Sequence, residues 1–260
     1  MLSSQNPLRF LLGLPSGTQI TIPASITTIG QSAFAKATGL TQITIPNTVT
    51  SIGLHAFDGA TGLKQIVIPD SVTQIGRGAF RDCAALETVR LPKTLEVIPE
   101  NTFDGCKNLK QIQLPTSVKE IQAGAFMDCY SLEGIQLHEG LESIGANAFE
   151  KCIALRNVVL PASLKKLGDG AFRNCSKLLN AVFLGSAPTT RTHSLIFYQT
   201  HVSVYYPAND PSWTANKIEH MTYGTNLWWP VEDPGSVELP KEGDPLAGRC
   251  GQTAYWKIEN

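Results

Sequence analysis

The sequence predicts an α/β solenoid in which one unit of 23 residues is wound seven times and then continues in degenerate form. Three columns carry this prediction. Phenylalanine recurs at Phe34, Phe57, Phe80, Phe103, Phe126, Phe149 and Phe172, with no insertion between any two. Leucine keeps the same period at Leu40, Leu63, Leu86, Leu109, Leu132, Leu155 and Leu178. Proline does so at Pro23, Pro46, Pro69, Pro92, Pro115 and Pro161, with His138 in the remaining slot. Periods of about 20–50 residues mark stacked repeats, where each unit buries its apolar side only against its neighbours.

Each segment of a unit has a physical reading. Ile43-Thr44-Ile45 is β-branched and alternates with period two, which predicts a short strand with its isoleucines turned inward. Pro46 lacks an N–H and stops that strand. Val49 and Ile52 are expected to pack the next side, and Gly53 to permit a sharp turn. Ala56, Phe57, Ala60 and Leu63 fall at helical spacing, which predicts about one helical turn closing the coil. A lone coil buries too little to offset ordering ~23 residues at roughly 1.5 kcal/mol each, so stability must come from stacking.

The segments T-S-I-G-x-x-A-F and L-K-Q-I-V-I-P resemble the BspA-like, or Treponema-type, leucine-rich repeats of bacterial surface proteins, over residues 18–183. The resemblance implies a curved leucine-rich repeat solenoid with short parallel strands on its concave side and short helical turns. It also implies export to the cell surface or the extracellular space, with exposure to host or neighbouring cells.

Residues 1–17 read as an N-terminal cap or a chain edge, since the apolar run from Leu8 to Leu14 is short and has no small-residue cleavage site. Residues 18–178 hold the seven regular repeats. Over 179–230 the register is expected to persist in two degenerate coils and a last strand that together form a C-terminal cap. Pro207 lies two periods after Pro161, and Pro230 one period after Pro207. Val204-Tyr205-Tyr206 and Leu227-Trp228-Trp229 then take the strand slots, and Trp213, Ile218 and Met221 the columns of Ile52, Phe57 and Ala60. The alternative is a separate irregular cap with coincidental proline spacing. Residues 231–260 read as a linker, rich in Pro, Gly and acids, followed by Gly248-Arg249-Cys250-Gly251 and Trp256, which resemble the opening of another module.

A net charge of −1 offers no basic stripe for nucleic acid. No apolar run is long enough to span a bilayer. Cys83, Cys106, Cys129, Cys152 and Cys175 form one column, open to a disulfide ladder, a thiolate metal ladder or small buried thiols. Ala37 and Ala60 in the same column, and the odd number of thiols, favour the last reading. Gly76-Arg77-Gly78 and Gly168-Asp169-Gly170 lack the third glycine of a phosphate loop and read as turns. Asp58, Asp104 and Glu150 share a column two coils apart, roughly 10 Å by strand spacing, which one ion cannot bridge. No nucleophile stands beside a base, so no catalytic residue, metal ligand or cofactor is expected and the chain reads as non-enzymatic.

The strand positions pointing away from the core form the candidate ligand-binding face: Gln42, Thr44, Gln65, Arg90, Gln111, Gln113 and Gln136. Beside them Lys64, Glu87, Lys110, Glu133 and Arg156 alternate in sign. Under the bland reading these charges pair and the glutamines bond along their column, each exposed pair contributing ~0–1 kcal/mol. Under the functional reading the face offers donors and acceptors to a partner. The lack of aromatic rings there favours a protein partner over a glycan. A glycan-binding or wall-associated module would instead use Tyr205, Trp228 or the loop near Trp213, although packing in the core or cap is the favoured reading of those aromatics. A structural spacer would use neither.

Overall fold

The computed structural model describes residues 13–191, 194–221 and 226–239. Most of the expected N-terminal cap and the segment resembling a further module lie outside the described residues. The rest is a parallel-strand solenoid of about nine turns. Each regular coil contributes one strand to each of two sheets and closes through a run of turns.

The first sheet takes the I-x-I strands. With strands numbered in chain order, these are β1 (Thr18–Thr21), β3 (Leu40–Thr44), β5 (Gln65–Val67), β7 (Thr88–Arg90), β9 (Gln111–Ile112), β11 (Gly134–Ile135), β13 (Asn157–Leu160), β15 (Asn180–Phe183), β16 (Ser203–Pro207) and β17 (Leu227–Val231). They pair in parallel in three blocks, β1-β3-β5-β7, β9-β11 and β13-β15-β16-β17. The second sheet is made of two-residue strands at the Ser51-Ile52 position: β2 (Thr28–Ile29), β4 (Ser51–Ile52), β6 (Gln74–Ile75), β8 (Val97–Ile98), β10 (Glu120–Ile121), β12 (Ser143–Ile144) and β14 (Lys166–Leu167). Gly53 works differently from expectation. A Cβ there would lie 2.7 Å from the Gln31 nitrogen, so the glycine admits the backbone of the preceding coil rather than a special turn.

The expected helical turn is absent. Around Phe57 the N–H groups alternate between two kinds of acceptor. Ala56, Asp58 and Ala60 donate three residues back, to Gly53, His55 and Phe57, while His55, Phe57 and Gly59 donate to Arg77, Ala79 and Arg81 of the next coil. A helix would keep all these donors to itself. Two residues per coil with left-handed φ break the helical path. One column holds Ser32, His55, Gly78, Asn101, Gly124, Asn147 and Gly170, and the other includes Lys36, Gly59, Asp82, Gly105, Asp128, Lys151 and Asn174. The single α-helix among the described residues, α1 (Ala215–Met221), lies in the degenerate region.

The core is a file of rings. Phe34 through Phe172 stack with centroids 5.1 to 5.6 Å apart and planes within 3° to 16° of parallel. An eighth ring, Phe197, continues the file at 5.8 Å from Phe172. It comes 25 residues on, so two residues are inserted in that coil. The last turn also slips. Pro207 pairs with Val231 and Tyr206 with Pro230, which makes the final register 24 residues. The 23-residue spacing of the two prolines is therefore not a structural column.

The first left-handed column alternates bulky with bare. His55 packs over Gly78, Asn101 over Gly124 and Asn147 over Gly170, each side chain occupying the place of the next coil's missing Cβ. Gly124→Ala therefore meets both a φ of 62° and the Asn101 amide. It is expected to cost about 1–2 kcal/mol or more in denaturant unfolding. Gly134→Ala, in open space on β11, is expected to be neutral or stabilising by about 0.5–1 kcal/mol.

Candidate functional site on the first sheet

Strand alternation sets the face. Ile43, Ile66, Ile112 and Ile135 are buried, whereas Thr44, Gln65, Arg90, Gln111, Gln113 and Gln136 are exposed and Gln42 half-buried. Register aligns Gln19, Gln42, Gln65 and Thr88 in one file, Thr21 with Thr44, and Val67 with Arg90. Because β7 and β9 do not pair, the candidates fall into two groups. Gln42, Thr44, Gln65 and Arg90 sit on the first block. Gln111 lies on the second, with Gln113 and Gln136 just past its strand ends.

The mutual pairing expected by the bland reading does not form from Gln42 to Gln136 or from Lys64 to Lys110. The side-chain amides of Gln42, Gln65, Gln111, Gln113 and Gln136 make no hydrogen bond, and Lys64, Glu87 and Lys110 make no ion pair, among the described residues. The charges on the second sheet behave otherwise. Glu96 meets Lys119 at 3.4 Å and Glu142 meets Lys165 at 3.0 Å, so an alternating column there is internally matched.

Arg90 is the exception on the first face. Its Nη2 lies 3.2 Å from Asp70 Oδ2, while Asp70 Oδ1 accepts the Lys93 N–H at 3.0 Å. That backbone bond and the guanidinium hold the Asp70 carboxyl below its usual range. Asp70 thus draws the Arg90 guanidinium toward the end of its strand. Sequence reading missed it because it stands beyond the strand, after Pro69.

The turn side carries a second set of charges, in the column just after the phenylalanines: Asp58, Arg81, Asp104, Met127, Glu150 and Arg173. Arg81 meets Asp58 at 3.1 Å, and Arg173 meets the buried Glu150 at 2.8 Å. Met127 breaks the alternation. Asp104 is left partly buried near Asp82 and Asp128, and burial first, then these two carboxylates, pushes its pKa up to about 6. Among the described residues no group of three or more His, Cys, Asp or Glu is placed to hold a metal ion.

The cysteine column has a defined role. Each thiol donates to the phenylalanine carbonyl 26 residues earlier, as Cys83 to Phe57 and Cys129 to Phe103, both at 3.2 Å. All five are free and buried, and desolvation raises every thiol, Cys175 to about 12. They are hydrogen-bonded wedges with little thiolate character.

The late aromatics are packed against one another. Tyr205 is 1% and Trp213 8% exposed. Trp213 sits edge-on to Phe183 at 4.8 Å and donates its ring N–H to the Gly185 carbonyl at 3.0 Å. Both rings are thus core, and neither offers a free face to a sugar.

Residues 13–133 and 96–209 match the BspA type leucine-rich repeat region model, and the chain belongs to that family. It is similar to a leucine-rich repeat protein from Bacteroides ovatus at 28% identity and a TM-score of 0.63, covering 82% of this chain and 61% of that one. It is similar to one from Eubacterium ventriosum at 32% identity and 0.57, covering 61% and 43%. A leucine rich cell surface protein from Faecalibacterium prausnitzii matches at 27% identity and 0.51, covering 78% and 62%. The chain thus spans less than two thirds of each of these proteins. No curated protein matches. No helix among the described residues is long and apolar enough to cross a membrane.

An acid that ionises less readily in the folded chain withdraws stability as it ionises. For Asp104 the loss sets in as pH rises from near 3.8 through about 6. Met127→Arg would place a cation between Asp104 and Glu150. In thermal melts the variant is expected to gain most over wild type near neutral pH and least at about pH 4. An equal gain at both would contradict this account.

Proposed function

We propose that this chain is the recognition module of a surface-exposed or secreted bacterial protein and binds a protein partner across the first sheet. By family analogy that sheet is the concave one. The carrying observation is the asymmetry between the sheets. In the column beside the second sheet, Glu96 and Glu142 match Lys119 and Lys165, whereas the amides of the first sheet and its Lys64, Glu87 and Lys110 have no side-chain partner among the described residues. Groups of this kind stay solvated in the free protein, and each can gain ~0.5–1.5 kcal/mol when a complementary surface replaces the water. Gln42, Thr44, Gln65, Gln111, Gln113 and Gln136 supply paired donors and acceptors, and Arg90, drawn toward Asp70, supplies a charge. From β1 to β13 the face carries no aromatic residue at its outward positions, which favours protein over glycan there. Aromatics enter it only at β16 and β17, where Tyr205 and Trp229 follow Val159 and Val182. Its similarity to the leucine rich cell surface protein of Faecalibacterium prausnitzii supports the surface location.

The test is a panel of extracellular proteins and glycans probed with the purified chain. A protein hit is expected to be lost in the triple variant Gln65→Ala, Arg90→Ala, Gln113→Ala. Its melting temperature should stay close to wild type, since the removed groups make at most one exposed pair. The hit should survive Lys119→Ala and Lys165→Ala on the second sheet. Binding that ignores the first-sheet triple, or a glycan signal lost on Trp228→Ala, would contradict the reading.

A further inference from the structure

The second sheet is interrupted at one place. At its other junctions the N–H in the Gly53 column donates to the carbonyl 24 residues earlier: Gly53 to Ile29 and Gly76 to Ile52 at 2.8 Å, Gln122 to Ile98 at 2.9 Å, Gly145 to Ile121 at 2.7 Å and Gly168 to Ile144 at 2.8 Å. Position 99 in this column is proline, which has no N–H to give, and the Ile75 carbonyl receives no such bond. The bond from Glu96 N–H to the Thr73 carbonyl is missing as well. Its counterparts form, Thr73 to Thr50 at 2.9 Å and Lys119 to Glu96 at 2.8 Å. β6 and β8 are consequently unpaired, and the sheet divides into β2-β4-β6 and β8-β10-β12-β14. Gln122 carries a Cβ in the same column and keeps its bond, so the lost donor distinguishes Pro99.

A groove of about 730 Å³ opens at this seam, within the size range of ligand sites. Buried Ile75 and Leu95, with half-buried Val97 and Pro99, give it apolar walls. Exposed Thr73 and Glu96 border it, and Glu96 is the one charged residue in its lining.

We propose that the seam takes an extended, basic peptide segment of a partner protein. The Thr73 and Ile75 carbonyls on one side of the seam and the Glu96 N–H on the other have no backbone partner among the described residues. This is the mixed edge that an added strand satisfies through its main-chain amides. An apolar ligand would leave these groups unmet, and an anion would meet the Glu96 carboxylate. A Lys or Arg on the segment would share that carboxylate with Lys119. The site is separate from the first-sheet face and does not depend on it.

The test uses the full chain, labelled with ¹⁵N and titrated with the probe acetyl-Thr-Val-Arg-Val-Thr-amide. Comparison probes carry Gln for Arg or N-methyl groups on the backbone. Saturable shifts are expected at residues 73–76 and 94–98, with millimolar affinity as befits so short a segment. N-methylation is expected to abolish them, and Glu96→Gln to weaken only the Arg probe, about threefold to fivefold. Pro99→Gly supplies the glycine found in this column at Gly53, Gly76, Gly145 and Gly168. It should slow hydrogen exchange at the Glu96 amide and eliminate binding, and Pro99→Gln, copying Gln122, serves if the glycine variant does not fold. Overturning results are an absence of shifts at the seam, undiminished binding of the methylated probe, or undiminished binding by a Pro99 variant whose Glu96 amide has become protected.

Discussion

The contact on which the rest depends is the one each phenylalanine makes with the coil above. Its N–H donates forward, Phe34 to Ala56, Phe57 to Ala79 and Phe103 to Ala125, each at 2.7 to 2.8 Å. Its ring lies flat on the next ring, and its carbonyl takes the thiol of the following coil where that coil has a cysteine. These groups tie neighbouring coils together rather than stabilising a coil internally. Local conformation is therefore dictated by neighbours: the two left-handed residues per coil turn alternate N–H groups outward, and a helix would have withdrawn them.

The same constraint separates structure from function along the chain. Columns that touch the adjacent coil hold mostly one or two residue types: glycine where backbones approach, apart from Pro99 and Gln122, alanine or cysteine beneath the phenylalanine carbonyl, and a hydroxyl after the proline, apart from Gly140. Ser71, Ser117 and Ser163 illustrate the last, each bonding a carbonyl 22 residues back at 2.7 to 2.8 Å. Only outward strand positions are free to vary. There Glu96, Lys119, Glu142 and Lys165 beside the second sheet have matched across coils. On the first sheet Arg90 has Asp70, but Lys64, Glu87, Lys110 and the glutamines have no side-chain partner among the described residues, which makes the first the better candidate for meeting another molecule. Pro99 fits the same logic from the other side, as a residue in a constrained column that cannot make the column's bond.

Much of this was legible in the residues. The phenylalanine, leucine and proline columns gave the period, the coil order and the inward faces, because each is a repeated steric demand. The seven outward positions were also found, since strand alternation needs only period two. The helical turn was misread because Ala56, Phe57 and Ala60 have the same spacing in successive turns as in a helix. The discriminating signal was the His55, Gly78, Asn101, Gly124 alternation, which has meaning only once coils are stacked. Asp70 and the matched Glu96, Lys119, Glu142 and Lys165 were invisible as partners for a similar reason. Beyond Leu178 insertions shift the register, so Phe197 escaped notice and the Pro207 to Pro230 spacing misled.

The most direct measurement is denaturant unfolding of chains carrying two, four and six regular coils, beside a peptide of the single coil 93–115. Stability that climbs with every added coil, and a lone coil without ordered structure by circular dichroism, is the predicted result. A peptide that folds by itself, or a stability indifferent to coil number, would contradict the dependence of each coil on its neighbour.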